Sequence, residues 1–388
     1  MTDTKEKGGD SMKIAMIGHK RVPSREGGIE IVVEELSVRL AAMGHQVDCY
    51  NRWHGGGGNK MPREYKGIRL IRIPTFRRTA LNAFVYSVLA AVRAVFGGYD
   101  VIHFHAEGPG AMAFIPRLLG IPVVVTIHGL DWQRVKWGGF ATRYLRWGER
   151  NSARYSDALL VLSIGNRRYF KDIYNRKAIY IPNGVNVKPS PQPVEIGRVW
   201  GLERNGYILF LARLVPEKGL HNLIDAYKMT DTDKRLVIAG ELTRNDAYVK
   251  KIRDMAQEDS RILLTGFVQG RVLEELLANC SVYVLPSDVE GMSISLLEAL
   301  SYGVRCLVSD IEENLDTAAG FASSFPRGDV PMLKQRLEGL LKQDEGVHDS
   351  AGQIEFVRSR YNWDSAVEQL LCVYEDVRKK GKEEDRTQ

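Results

Sequence analysis

Cysteine is scarce in this chain of 388 residues, with four in all. Cys49, Cys280, Cys306 and Cys372 form no CxxC pair and no metal-ligand spacing. That argues against a disulfide framework and against a zinc module. Three of the four sit in apolar strand-like or helix-like contexts, so reduced core thiols in a cytosolic protein are expected. Long apolar runs are missing too. Residues 1–11 are polar and no apolar leader follows, so no secretory signal is expected. The greasiest stretch, Ala80 to Phe96, is broken by Asn82 and Arg93 and is too short and too polar to span a bilayer. No nucleic-acid recognition motif occurs, and the cations are dispersed. His103 and His105 share one face of their strand, but no third ligand is spaced to complete a metal site.

What is present suits two α/β domains with full cores: enough length, and a globular hydrophobic content of 44%. The net charge of +6 hides an asymmetry. Residues 1–190 carry 29 Lys and Arg against 15 Asp and Glu, and the rest carry 25 against 33. A basic first half can face an acidic substrate or an anionic lipid surface. It is also compatible with an uneven solvated surface.

Strands and helices alternate, which implies parallel sheets covered on both faces. Strands are expected at Lys13–Ile17, Gln46–Tyr50, Ile68–Ile73, Val101–His105, Val123–Ile127 and Ala158–Leu162. The pattern restarts at Tyr207–Leu211, Arg235–Ala239, Ile262–Leu264, Val282–Leu285 and Val304–Val308. The first helix is expected at Ile29–Met43, stopped by Gly44. Gly55–Gly58 reads as a mobile loop. The Pro-rich segment Lys188–Pro193 reads as a linker, placing one domain at 1–188 and the second at 189–364. A last helix near Ser365 to Arg378 carries an apolar stripe (Ala366, Val367, Leu370, Leu371, Tyr374, Val377) and packs back on the first domain. The tail from Lys379 is expected to be disordered.

The chemistry concentrates at strand ends. Glu290-Gly-Met-Ser-Ile-Ser-Leu-Leu-Glu298 follows a buried strand and opens a helix. An acid, a glycine, free helix-leading N–H groups and a second acid make a clamp suited to a sugar joined to a diphosphate. Ser295-Leu-Leu-Glu298 also fits a capping box, in which Glu298 would only cap the helix. Arg213 and Lys218 stand five residues apart around a turn with Pro216 and Gly219, and both could neutralise a diphosphate. Gly27-Gly28 lets backbone approach a ligand, but the segment is not GxGxxG, so a dinucleotide site is weakly supported. His128, before Gly129 at a strand end, could hydrogen-bond a sugar hydroxyl or carbonyl. Asp231-Thr-Asp233 resembles the Asp-x-Asp of metal-dependent sugar transferases, yet it lies between a helix and the start of a strand, away from the carboxyl ends, and is discounted.

Together with Ile181-Pro-Asn183-Gly184-Val185 and Ala239-Gly240-Glu241, these residues resemble the GT4 family of retaining glycosyltransferases over nearly the whole chain. The resemblance implies a GT-B architecture, two Rossmann-like doubly wound parallel-sheet domains facing across a cleft. It implies that Arg213 and Lys218 bind the donor diphosphate, that Glu298 holds the ribose, and that Glu290 with Gly291, Met292, Ser293 and Ile294 binds donor sugar and phosphates. His128 would touch the sugar or the reacting centre, and Gly28 would lie near the diphosphate. Gly27, Asn183 and Gly240 complete the donor set. No metal and no cofactor is implied. Implied partners are a UDP-, dTDP- or GDP-linked sugar and a saccharide or lipid-linked acceptor; the basic first half, with Arg77, Arg78 and Arg93 about the apolar Leu81–Phe96 helix, adds an anionic membrane surface as an expected contact. Where the family commonly has a bulky residue and then Gly-Leu-Pro, this chain has Met292-Ser-Ile-Ser295, which bears on sugar identity. The Ile17–Glu30 segment is similar to a subgroup that includes rhamnosyltransferases of bacterial capsule and cell-wall polysaccharides. A nucleotide-sugar epimerase and a non-catalytic nucleotide-sugar-binding protein are the alternatives.

Overall fold

The computed structural model describes residues 11–54, 62–75, 79–133, 139–242, 246–343 and 348–387. The Gly55–Gly58 loop and the cations Arg77 and Arg78 lie outside the described residues. The first sheet has eight strands: β1 (Lys13–Ile17), β2 (Gln46–Trp53), β3 (Glu64–Tyr65), β4 (Ile68–Pro74), β5 (Val101–His105), β6 (Val123–Ile127), β7 (Ala158–Val161) and β8 (Ile179–Tyr180). Their order is β3-β4-β2-β1-β5-β6-β7-β8. All pairs are parallel except the short β3–β4 ladder. The second sheet has six strands: β9 (Tyr207–Leu211), β10 (Arg235–Ala239), β11 (Ile262–Gly266), β12 (Val282–Leu285), β13 (Cys306–Ser309) and β14 (Ala322–Phe325). Their order is β11-β10-β9-β12-β13-β14, all parallel.

Successive side chains on a strand face opposite ways, and both faces of each sheet are filled. In β1, Ile14 and Met16 join one core with Val33, Leu36 and Leu40 of the Gly28–Ala42 helix. Ala15 and Ile17 join the opposite core with Ala90, Ala91 and Ala94 of the Thr79–Val95 helix. In β9, Tyr207 and Leu209 face one core while Ile208 and Phe210 face the other. Cys49, Cys280 and Cys306 are buried free thiols in these cores, and Cys372 is exposed and free.

The C-terminal helix runs from Trp363 to Thr387. Its Trp363, Ala366, Val367, Leu370, Val373, Tyr374 and Val377 are buried in the first domain's core. The segment expected to be a disordered tail is therefore helical as far as Thr387. Once the apolar stripe anchors the helix, each added residue gains a backbone hydrogen bond without new nucleation. The chain thus crosses between the sheets twice, and the crossings touch. Val185 N–H donates to Tyr361 C=O (2.8 Å), and a Cβ on Gly184 would lie 2.4 Å from Trp363 N.

Candidate functional site

Each sheet reverses its strand order at one place: between β1 and β5 in the first domain and between β9 and β12 in the second. Loops leaving the carboxyl ends of strands at such points diverge and form a crevice. Apart from Asn183, which follows the edge strand β8, the residues singled out above lie after β1, β6, β9, β10 and β12, so one topological rule gathers them.

The second domain contributes the charge. After β9, Val215 N–H donates to Arg213 C=O (3.0 Å), and a single turn, Pro216–Lys218, follows. Gly219 closes it at φ +64°, where a Cβ would lie 2.0 Å from Pro286 C=O. This position demands glycine for both reasons. Asp288 N–H donates to Glu217 C=O (2.9 Å), zipping the loop after β9 to the loop after β12. Lys218 Nζ thereby reaches Glu290 Oε1, and Ser287 Oγ donates to the same oxygen (2.7 Å). Lys218 and Glu290 are both largely buried, 14% and 8% exposed by side chain, so their pairing is shielded from solvent. Gly240, at the end of β10, supports this wall: a Cβ there would lie 2.5 Å from Ala212 C=O, beside Arg213.

The helix after Glu290 spans Ile294–Ser301. Its N-cap is Ser293, whose Oγ accepts from Leu296 N–H (3.3 Å). The alternative capping box, Ser295 with Glu298, is not formed. Ser295 Oγ instead shares hydrogen bonds with Tyr283 OH (2.7 Å) and Ser293 Oγ (3.1 Å), because β12 brings the phenol under the helix start. Glu298 lies inside the helix, and burial pushes its carboxyl up to about 7, with Arg25 and Lys188 pulling the other way. Met292 Sδ accepts from Asn183 N–H (3.3 Å), and Ile294 packs into the first domain's core. The side chains of Met292, Ser293, Ile294 and Ser295 are thus all engaged within the protein. The leading helix N–H groups of Ile294 and Ser295 precede the first intrahelical bond.

The first domain contributes histidines and glycines. His128, at the end of β6, is half-buried, with Nε2 3.0 Å from His105 Nδ1 at the end of β5. Gly129 takes φ +143° and faces Gly291 of the second domain. A Cβ on Gly291 would lie 1.6 Å from His128 C=O, and one on Gly129 would lie 3.2 Å from Gly291 Cα. The two Gly-bearing motifs that the sequence placed on separate domains are therefore in backbone contact across the crevice. Gly28 begins the Gly28–Ala42 helix and faces Ile294, where a Cβ would lie 4.0 Å from Ile294 Cγ1. Gly27 precedes it, and a Cβ there would lie 2.4 Å from Glu30 Oε2. Glu30 Oε1 accepts from Lys20 N–H (2.9 Å), which ties the loop after β1 to the helix start.

A cleft of about 420 Å³ continues outward between the 21–26 loop with Tyr65 and the second domain's Phe267 and Gln269. Arg25, on its wall, is the charge that most opposes the rise in the Glu298 pKa. Among the described residues, no cluster of three or more His, Cys, Asp or Glu could hold a metal ion. Asp231 and Asp233 precede β10, at the end of the sheet opposite the crevice.

The Lys218–Glu290 pair, the role of Ser293 and the His105–His128 contact have no counterpart among the sequence expectations. Ser293 was legible in principle, since a Ser preceding an apolar helix start is a cap signal. The other two join residues 72 and 23 positions apart, and no local pattern reports them. The arrangement sets the Lys218–Glu290 pair and a helix start, with Arg213 on the loop after β9, opposite His128, and is suited to an anionic ligand with hydroxyl groups.

Comparison with known proteins accounts for both halves. A family model described as Glycosyltransferase Family 4 matches residues 26–188, and one described as Glycosyl transferases group 1 matches residues 196–353. The chain is 31% identical over 233 residues to a UDP-Gal:alpha-D-GlcNAc-diphosphoundecaprenol alpha-1,3-galactosyltransferase of Escherichia coli, covering 56% of this chain and 59% of that protein, less than two thirds of its length. It is 28% identical over 376 residues to a phosphatidyl-myo-inositol mannosyltransferase of Mycobacterium leprae, covering 92% of this chain and 94% of that one. The fold superposes on sucrose-phosphate synthase from Thermosynechococcus elongatus with a TM-score of 0.82 at 20% identity, over 94% of this chain and 99% of that one.

Proposed function

Because the chain belongs to the GT4-like glycosyltransferases of GT-B fold, we propose that it moves a hexosyl or deoxyhexosyl group from a nucleoside diphosphate sugar to a saccharide hydroxyl, with retention and without a metal. The observation that carries this reading is the convergence of the Lys218–Glu290 pair and the Ser293-capped helix at the switch point between β9 and β12, with Arg213 on the same loop as Lys218. As the bond from the anomeric carbon to phosphate oxygen breaks, its electron pair goes to the leaving diphosphate. Arg213, Lys218 and the helix N–H groups stabilise that growing charge. The acceptor oxygen attacks from the same face, and its proton passes to the departing phosphate oxygen. Glu290 holds Lys218 and meets sugar hydroxyls. Glu298 holds the ribose, and His128 contacts the sugar from the opposite wall.

The acceptor in this reading is carried on a lipid diphosphate. Support comes from the names of the Escherichia coli and Mycobacterium leprae relatives, whose acceptors are lipids. Support also comes from the first domain's surface. Phe84, Leu89, Val92 and Phe96 are exposed on the Thr79–Val95 helix and the residue after it. Phe140, Trp147, Arg143, Arg150 and Arg154 are exposed along one stripe of the Gly139–Tyr155 helix. Such a face suits the anionic cytoplasmic leaflet. Rhamnose, from the Ile17–Glu30 segment, is the deoxyhexose to test first, in capsule or cell-wall polysaccharide synthesis.

The deciding experiment screens UDP-, dTDP- and GDP-sugars for thermal stabilisation, then follows nucleotide release with and without a lipid-linked saccharide. A transferase releases nucleotide much faster with the acceptor. An epimerase converts donor with no acceptor, and a binding protein is stabilised but never releases nucleotide. Co-sedimentation with phosphatidylglycerol but not phosphatidylcholine vesicles tests the surface, and loss of that dependence would remove it.

A further inference from the structure

The histidines of β5 form a connected group that the transfer mechanism leaves unused. His103 and His105 are fully buried, with rings 4.1 Å apart. His103 is locked on both sides: Nδ1 meets Tyr374 OH of the C-terminal helix (2.6 Å), and Nε2 meets Thr126 Oγ1 (2.7 Å). The packed ring of His103 sets the plane of His105. At its other end, the backbone of His105 is abutted by Gly18, where a Cβ would lie 2.2 Å from His105 C=O. In the structure His105 Nδ1 faces His128 Nε2 at 3.0 Å. His105 Nε2 is buried with no hydrogen-bond partner.

Only one proton sits between His105 Nδ1 and His128 Nε2, and the buried Nε2 decides whose it is. If His105 carried its proton on Nε2, a buried N–H would lack an acceptor. If it carries the proton on Nδ1, the orphan is a lone pair, which is the more tolerated defect. We infer that His105 is a positioning residue that donates Nδ1–H to His128 Nε2 and thereby fixes His128 as the neutral tautomer protonated on Nδ1. His128 then presents an N–H donor, not a general base, to an oxygen of the bound sugar. Burial first, then the neighbouring His103, His128 and His19, holds His105 well below the ordinary histidine range, which keeps the donor neutral. The C-terminal helix enters the site through the same relay, from Tyr374 to His103 to His105 to His128.

This inference rests on the reading that His128 meets the ligand, and the test separates the two. The tautomer is read in the ligand-free protein by nitrogen-15 histidine NMR, with His128 assigned by its loss in His128→Gln. Nδ1-protonated His128 is expected; an Nε2-protonated His128 in the wild-type protein overturns the inference outright. Kinetics follow nucleoside diphosphate release from UDP-glucose, dTDP-rhamnose and GDP-mannose. His105→Leu should cost roughly 10- to 100-fold in kcat with little change in KM, taking the scale known for partners that orient metal-bound histidines. His105→Asn, whose amide N–H can replace Nδ1–H, should restore most of the loss. If Asn is as poor as Leu while both fold, orientation by that hydrogen bond is wrong. If His128→Gln turns over like wild type, the site reading for His128 fails, whatever the tautomer proves to be.

Discussion

The two walls of the crevice are built on the same topological device and carry opposite electrostatics. The second domain's wall holds Arg213, Lys218 and Glu290 on loops after β9 and β12, with Glu298 in the helix that follows. The first domain's wall holds His105 at the end of β5, which burial keeps neutral, and half-buried His128 at the end of β6. A wall of paired charges suits a group whose charge grows during reaction, whereas a neutral donor suits one that only has to be oriented. The walls also respond to pH in opposite senses. Glu298 keeps its proton up to about 7 when folded but loses it near 4.5 when unfolded, so its contribution falls as pH rises through that window. His103 titrates at about 3 when folded against 6.5 unfolded, so its contribution falls as pH drops below about 6.5.

The contrast is broken most severely at Arg213. Arg213→Ala should lower kcat/KM for transfer about a thousandfold, the ~4 kcal/mol typical of losing one group that stabilises developing charge. A variant with the wild-type rate constant would remove the diphosphate from that wall. Gly291→Ala comes next. Its Cβ meets His128 C=O and should hold the walls apart, costing about a hundredfold in rate with little change in melting temperature. Unchanged turnover would show that the walls need not touch. The pH contrast can be sharpened by melting Glu298→Gln beside the wild type from pH 4.5 to 7.5. The variant should lack the wild type's loss of stability across that range, leaving the histidines' rise with pH exposed. Parallel curves would contradict the raised carboxyl pKa. Ser293→Ala is the mildest change, expected to cost ~1 kcal/mol in urea unfolding as one helix N–H loses its cap. A comparable cost for Ser295→Ala would instead return the capping role to Ser295.

Most of the strands were legible because both-face burial writes uninterrupted apolar runs such as Val123–Ile127 and Tyr207–Leu211. The strands without such a signal are the outermost ones. Glu64–Tyr65 and Ile179–Tyr180 are two residues long, and Ala322–Phe325 is mostly small and polar. Edge strands are half-solvated and need no apolar signature. The capping box that the spacing allowed at the helix start fails for another reason. Ser295 matches a cap by spacing, but Tyr283, twelve residues earlier, takes its hydroxyl and leaves the cap to Ser293. The C-terminal helix was legible as far as its apolar stripe runs, and its continuation past Lys379 was not.

By itself the sequence determined the two-sheet architecture, the resemblance to the glycosyltransferase family and the strand ends where the candidate site residues gather. Periodicity and motifs are local, and a strand's carboxyl end can be counted along the chain. Only the tertiary structure decided who meets whom: Lys218 with Glu290, Gly129 with Gly291, and Tyr374 with the histidine row. Those contacts are made by strand order and by a helix that crosses back over the first domain. Partners chosen by packing at long separation leave no trace in the spacing of the residues themselves.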